Sequence, residues 1–200
     1  LVAGAGSGKT TSLIDALVRV REREGRQLRQ NGQRIACITF TKRAVEVIKT
    51  QLGFDELYLV STIHSFLWGQ MNRFHGDIRE ALRKARIPDL IQKERDKDKG
   101  GSSRTAIDAR AKALRYEQDL LELDAVPAFN YDDAKWGDYP AGRLGHDDII
   151  EIATYLFANS ATFRRITGLR FPYIFVDEAQ DTFPGIVSAL NLVCGEGLPI

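Results

Sequence analysis

The apolar positions in the first third of the chain switch repeatedly between strand spacing and helix spacing. Consecutive apolar and β-branched residues predict strands at 1–2, 34–40 and 57–60. Apolar residues that recur every three or four positions predict helices from about residue 8 into the low twenties and over 44–52. Gly25 and Asn31–Gly32 indicate the loop that ends the first helix or its extension. This alternation predicts an α/β fold in which a parallel sheet is covered by helices on both faces.

The alternation lapses between Met71 and Gly145. Charged helices are predicted on either side of the GGSS sequence at 100–103, followed by an aromatic and acidic loop over 127–145. A helix over about 147–159 then returns the chain to the sheet, where residues 173–176 form the next strand. We therefore predict an α/β domain made of residues 1–70 and 146–200, interrupted by a helical insertion subdomain at 71–145.

The composition is that of a folded globular chain. Its 200 residues are 44% hydrophobic and 28% charged, which is enough for one substantial core and a smaller subdomain. No apolar run reaches the roughly 18 residues of a membrane span, and no signal peptide is recognisable, so we expect a cytoplasmic protein without a membrane partner. The two cysteines are expected to be buried thiols. Because the chain begins inside an apparent strand, we expect it to be a fragment of a longer protein.

Charge is distributed unevenly, although the net charge is only +1. Residues 73–115 contain 13 Lys and Arg against 7 Asp and Glu, whereas residues 116–151 contain 2 against 10. The basic segment could bind a polyanion through residues such as Arg83, Lys84 and Arg86, with an affinity that depends on salt. The alternative is a solvated face of mixed charge.

The sequence AGAGSGKT, at 3–10, has the spacing of a phosphate-binding loop, with Ala3 in place of the first glycine. Glycines allow backbone N–H groups to turn around phosphate oxygens, and the following helix directs its N-terminus at the same anion. Lys9 is expected to reach the β- and γ-phosphates, and the Thr10 hydroxyl to bind Mg²⁺. The predicted cofactors are ATP and Mg²⁺, bound by Gly4, Ala5, Gly6, Ser7, Gly8, Lys9, Thr10 and Thr11.

A second acidic motif, FVDEAQD at 175–181, follows the last predicted strand. Three carboxylates within five residues repel one another unless a cation relieves them. Asp177 is placed to hold the Mg²⁺ that Thr10 also binds, and Glu178 to orient and deprotonate the attacking water. Such a pair could instead cap a helix, but the phosphate-binding loop favours the metal site.

Four motifs, in this order, resemble motifs I, Ia, Ib and II of the UvrD/Rep-like superfamily 1A DNA helicases. They are AGAGSGKT, TFTKRA at 39–44, STIHSF at 61–66 and VDEAQDT at 176–182. The resemblance implies a RecA-like P-loop NTPase domain, called 1A, interrupted by a helical subdomain, called 1B. The lapse of the strand and helix pattern between residues 71 and 145 agrees with that organisation.

The resemblance also implies roles for individual residues. Lys9, Glu178 and Gln180 would be catalytic, with Gln180 sensing the γ-phosphate. Phe40 would meet the bases of single-stranded DNA, although a plain core position is the alternative. Thr62 and His64 would contact DNA, and a structural role for His64 is open. Lys42 replaces the usual Asn of this family and could contact a phosphate instead.

Two functions follow from the resemblance. The first is an ATP-dependent helicase or translocase that moves 3′ to 5′ on single-stranded DNA or at a junction of single and double strands. The second is a DNA-sensing ATPase subunit that regulates a nuclease partner in repair or phage defence without processive unwinding. A scaffold that has lost catalysis is disfavoured because Lys9, Thr10, Asp177 and Glu178 are all present. The fragment alone, without a second RecA-like domain, is expected to be poorly active.

Overall fold

The computed structural model describes residues 9–132, 137–177 and 184–194, and of Lys9, Pro184 and Cys194 only the backbone. The strands in chain order are β1 (Ile35–Thr39), β2 (Tyr58–Thr62), β3 (Asn130–Tyr131), β4 (Arg143–Leu144) and β5 (Tyr173–Val176). The α-helices are α1 (Lys9–Gln30), α2 (Lys42–Gln51), α3 (Ile63–Met71), α4 (His75–Ala81), α5 (Ile87–Lys97), α6 (Arg104–Glu122), α7 (His146–Asn159), α8 (Ala161–Arg170) and α9 (Pro184–Cys194). A π-helical turn, Leu82–Arg86, joins α4 to α5, and a 3₁₀ turn, Leu123–Ala125, follows α6.

The chain forms two compact units. One contains the described residues up to Phe66 together with those from Ser160 onward, and the other is Leu67–Asn159. The second unit includes α7, which the sequence pattern grouped with the sheet. The identification of these units with an ATPase domain and an inserted subdomain stays a prediction.

The first unit is built on a small parallel sheet, as the alternating pattern predicted. Its strand order is β2-β1-β5, with Thr39 beside Thr62 and Ile38 beside Val176. All five residues of the central strand β1 are buried, so both alternating sets of side chains are covered. Helices α1 and α2 supply Leu17, Leu28, Ile48 and Leu52 to the core on this sheet.

Helix α1 is longer than the apolar stripe alone indicates, because it continues through Gly25 to Gln30. A Cβ at Gly25 would lie 3.3 Å from Leu57 Cδ2, so the glycine allows the helix to pack closely on the segment before β2. The helix is followed by Gly32, whose φ is +66°, a conformation that glycine adopts without strain. Of the two predicted boundaries, Asn31–Gly32 is therefore the correct one.

Helix α2 buries part of the apolar stripe that predicted it, with one position exchanged at its edge. Ile48 and Leu52 are buried, but Val47 is 45% exposed, and Val45 packs against the core instead. A helix this short covers only a narrow strip of the sheet. The spacing of its apolar residues alone does not determine whether Val45 or Val47 faces the core.

The second unit is mostly helical. The predicted helix before the last strand is confirmed as α7, and its apolar positions Ile149, Ile150, Ala153, Leu156 and Phe157 are all buried. The segment predicted as an aromatic and acidic loop contains β3 and β4, which pair in parallel over two residues each. Helix α8 was not predicted.

Candidate nucleotide and DNA site

The carboxyl ends of the three parallel strands bring the central motifs to one edge of the sheet. Asp177 follows β5 directly, and its backbone N–H donates to the carbonyl oxygen of Ile38 on β1 at 2.8 Å. Phe40 follows β1, and β2 ends at Thr62. In open sheets of parallel strands, ligands bind outside the carboxyl ends, so this edge is the candidate site.

The Asp177 carboxylate acts electrostatically on the strand beside it. Burial, and secondarily the negative charge of Asp177, raises the pKa of Cys37 to about 12. The Cys37 thiol is fully buried and stays protonated at neutral pH. Cys37 therefore belongs to the core, and Asp177 is the polar group of this pair that can bind a ligand.

Helix α1 begins with the exposed residues Thr10 and Thr11 in its first turn. Near its other end, Glu24 accepts a hydrogen bond from the Tyr173 hydroxyl at the amino end of β5. From Glu24 back to Thr10 the helix spans about 21 Å, whereas β5 spans only about 13 Å. That this first turn reaches the carboxyl edge of the sheet stays a prediction.

These groups suit a nucleotide with Mg²⁺. A threonine hydroxyl and a carboxylate are the oxygen ligands that Mg²⁺ prefers, and the N-terminus of α1 favours an anion. Among the described residues, no three His, Cys, Asp or Glu side chains come together as a metal site. The assignment of Thr10 and Asp177 as Mg²⁺ ligands stays a prediction.

Several predicted site residues lie outside the described residues. They are Gly4, Ala5, Gly6, Ser7 and Gly8 of the phosphate-binding loop, the side chain of Lys9, and Glu178 and Gln180 of the acidic motif. Their roles stay predictions.

Phe40 is not a core residue, so the plain core position is wrong, while its contact with DNA bases stays a prediction. Its side chain is 52% exposed at the point where β1 ends, although the strand before it is completely buried. An exposed aromatic ring at the ligand edge of a sheet can stack on a base.

The residues after Phe40 begin helix α2. The Thr41 hydroxyl accepts a hydrogen bond from the backbone N–H of Ala44 at 3.1 Å, so Thr41 is the N-cap. Lys42 is the first helical residue and its side chain is exposed. A cation at this position lies on the same edge of the sheet as Phe40.

Thr62 has a structural role at the start of α3. Its hydroxyl donates to the Ser65 hydroxyl at 3.0 Å and accepts from the Ser65 N–H at 3.4 Å. His64 lies in the first turn of α3 and is half-buried. The structure therefore places both residues at the carboxyl edge, and the Thr62 hydroxyl already has a partner within the chain.

Comparison with known families matches this arrangement to one of them. The profile of a family described as AAA domain covers residues 1–194. The chain belongs to this AAA domain family. The match supports the resemblance at the level of UvrD-like, helicase-type AAA domains, and with it an ATPase or helicase with a bound nucleotide and typically Mg²⁺. The small parallel sheet covered by helices agrees with a P-loop NTPase.

One relative shares a substantial part of this AAA domain. Over 95 residues, 48% of the chain, it is 37% identical to the Gabija protein GajB of Bacillus cereus (strain HuB5-5). The aligned region is 14% of that protein. The chain therefore spans a small part of the relative that it matches.

The three basic residues that the sequence analysis offered as polyanion contacts all pair with carboxylates of the same chain. Arg83 pairs with Asp124 at 2.6 Å and Lys84 with Glu80 at 2.6 Å. Arg86 is only 7% exposed and its Nε donates to Asp148 at 2.7 Å. Arg86 is therefore a core residue, and a test of DNA contact by charge reversal must leave it unchanged.

The charge asymmetry was a signal of this packing, because the basic and acidic segments pair with each other. Besides the contacts of Arg83 and Arg86, Arg95 binds Glu117 at 2.6 Å. Sequence reasoning treated the two segments separately and missed the buried group around Asp148.

No helix in the described part of the chain is long and apolar enough to cross a membrane.

Proposed function

We propose that this AAA domain is the N-terminal ATPase core of a UvrD-like DNA helicase or translocase that moves 3′ to 5′ on single-stranded DNA. The observation that supports it best is the position of Asp177, at the carboxyl end of β5 and hydrogen-bonded through its backbone N–H to the central strand. A RecA-like motor requires a carboxylate after one strand and a phosphate-binding helix at the same edge.

In this proposal Thr10 and Asp177 bind Mg²⁺, and Lys9 neutralises charge on the β- and γ-phosphates. Bound Mg-ATP supplies the phosphoryl group whose transfer to water releases the energy for movement. Glu178 orients the attacking water and accepts its proton, and Gln180 detects the γ-phosphate. Phe40 stacks on a base, while Lys42, Thr62 and His64 contact the DNA strand.

A second candidate is a UvrD-like ATPase that senses DNA and regulates a nuclease partner in repair or phage defence. The similarity to the Gabija protein GajB fits either candidate. The two differ in whether ATP hydrolysis produces strand separation.

The first experiment measures ATP hydrolysis by the full-length protein with and without single-stranded DNA. We expect DNA to stimulate hydrolysis and Glu178→Gln to lower the stimulated rate by about 10²- to 10⁴-fold, the usual contribution of a general base. Glu56→Gln, an exposed residue in the turn before β2, is the control and should retain the wild-type rate. A Glu178→Gln protein with full activity would contradict the assignment.

Phe40→Ala tests the coupling to DNA. The DNA concentration for half-maximal stimulation should rise by about 5- to 100-fold, the effect of losing one stacked base. Phe54→Ala is the matched control, because Phe54 is also an exposed phenylalanine, 69% exposed, located before β2. If DNA stimulates ATP hydrolysis but a directional unwinding assay shows no strand separation, the second candidate is favoured. An ATP hydrolysis rate that does not depend on DNA would argue against both candidates.

A further inference from the structure

Helix α6 exposes a straight row of large apolar side chains. Ile107 is 52% exposed, Leu114 is 64% exposed and Leu121 is 84% exposed. They are spaced seven residues apart, so they lie on one side of the helix. Single exposed leucines are normal on protein surfaces, but a row that follows the whole length of a helix is not scattered exposure.

The row belongs to a complete heptad pattern. The exposed residues Ala111 and Gln118 fall between the three large side chains and produce the alternating spacing of four and three that defines a coiled-coil seam. The other side of α6 is already used, since Ala106, Ala109 and Ala113 are buried and the helix packs against α5. Helix α6 therefore has one face inside the unit and a second apolar face in solvent.

We propose that α6 is a dimerisation helix, whose seam from Ile107 to Leu121 packs against the same seam of a second copy as an antiparallel coiled coil. This inference is independent of the proposed ATPase function.

Charge complementarity identifies the second copy as the occupant and fixes the direction. With a twofold axis between Lys112 and Ala113, the exposed Asp108 lies opposite the exposed Arg115 of the partner subunit. This attractive pair occurs twice because of the symmetry. Residues that flank a seam determine which helices pair and in which direction.

The parallel arrangement is disfavoured by the same residues. It would place Asp108 opposite Ser103 of the partner subunit and Arg115 opposite Arg110 of the partner subunit, so that the attraction between Asp108 and Arg115 would be lost. The antiparallel arrangement also places the small Ala111 side chain against Leu114 of the partner subunit, which allows close packing.

The antiparallel register overlaps residues 104–121, nearly the whole 19-residue helix of about 28 Å. A single helix pair is at the lower end of the size range for specific interfaces, so the dimer should be reversible and depend on concentration.

The test is sedimentation equilibrium of the full-length protein over a concentration series. We expect a monomer–dimer equilibrium that Leu114→Glu shifts to monomer at every concentration. Glutamate is compatible with an exposed helical position, so this variant should fold. Leu169→Glu, at a 50% exposed leucine on α8, is the control and should leave the equilibrium unchanged.

A charge exchange tests the antiparallel register. Asp108→Arg and Arg115→Asp should each weaken the dimer by about tenfold, because two attractive pairs become repulsive. The double variant should restore wild-type association. Additive weakening in the double variant would overturn the antiparallel register.

Labelling of Gln118→Cys with a bulky maleimide distinguishes other occupants of the seam. Protection that increases with protein concentration is the expected result. A monomer at all concentrations, a dimer unaffected by Leu114→Glu, or protection independent of concentration would each overturn the proposal. The last of these outcomes would mean that another segment of the same chain or a different protein covers the seam.

Discussion

At the scale of single residues, Asp148 organises the interior of the unit Leu67–Asn159. Its carboxylate is 1% exposed and accepts hydrogen bonds from Arg86 Nε at 2.7 Å, the Tyr139 hydroxyl at 2.8 Å and the Gly145 N–H at 2.8 Å. Burial, and then the Asp148 carboxylate, raises the pKa of Tyr139, so its hydroxyl remains a donor throughout the physiological range. The group joins the π-helical turn to α7 and to the segment before β4.

We predict that Asp148→Asn lowers the free energy of unfolding by about 3–5 kcal/mol. The substitution leaves the buried Arg86 guanidinium without its counter-charge, and an uncompensated buried charge is costly. Urea unfolding followed by circular dichroism measures the change.

The control for this prediction is Asp124→Asn, which removes the exposed partner of Arg83. Asp124 is 78% exposed, and exposed ion pairs contribute only about 0–1 kcal/mol. Equal losses of stability for the two variants would show that burial does not govern the Asp148 pair.

At the scale of elements, the segment around β3 and β4 depends on one glycine. Gly142 has a φ of +70°, and a Cβ there would lie 2.4 Å from the carbonyl oxygen of Ala128. Its own carbonyl accepts a hydrogen bond from the Asn130 N–H at 2.8 Å, which aligns β3 with β4. Both the backbone angle and the space therefore require a residue without a side chain.

We predict that Gly142→Ala destabilises the protein by roughly 3 kcal/mol or more, because strain and a backbone clash add. Gly32→Ala is the matched control, since Gly32 has a φ of +66° and no atom within 4 Å of the added Cβ. The control should lose only about 1 kcal/mol, the cost of the backbone angle. Thermal unfolding of both variants compares them, and a larger loss at Gly32 would refute this explanation.

At the scale of the whole molecule, the chain divides into two compact units. The core of one lies on the parallel sheet, and the other is formed mainly by α4 to α7 with the paired basic and acidic segments. Partly independent cores allow sub-global opening, in which one unit loosens before the other.

We predict that Asp148→Asn accelerates amide hydrogen exchange selectively within residues 67–159. The strands β1, β2 and β5 should keep their wild-type protection under native conditions, because none of their hydrogen bonds involves the Asp148 group. Mass spectrometry of peptides from both units measures this. Uniform acceleration across the chain would indicate a single cooperative unit instead.

The amino-acid sequence indicated β1, β2, β5, α7 and the parallel sheet because those features depend on local spacing, but it predicted a loop where β3 and β4 form. Strands β1 and β5 follow from consecutive apolar residues, and the face of α7 follows from helical periodicity. The same local rules failed at Gly25, which packing retains inside α1, and at Val47, whose exposure depends on how α2 lies on the sheet.

The sequence by itself determined the order of the motifs, the element types and the residue types available for nucleotide chemistry, since these depend on neighbours along the chain. Only the tertiary structure decided that Arg86 is buried against Asp148, 62 residues away, and that Phe40 is exposed. The physical reason is that solvent exposure and the partner of a charge depend on contacts between distant segments. Neither quantity is encoded in spacing or composition, so both required the folded arrangement.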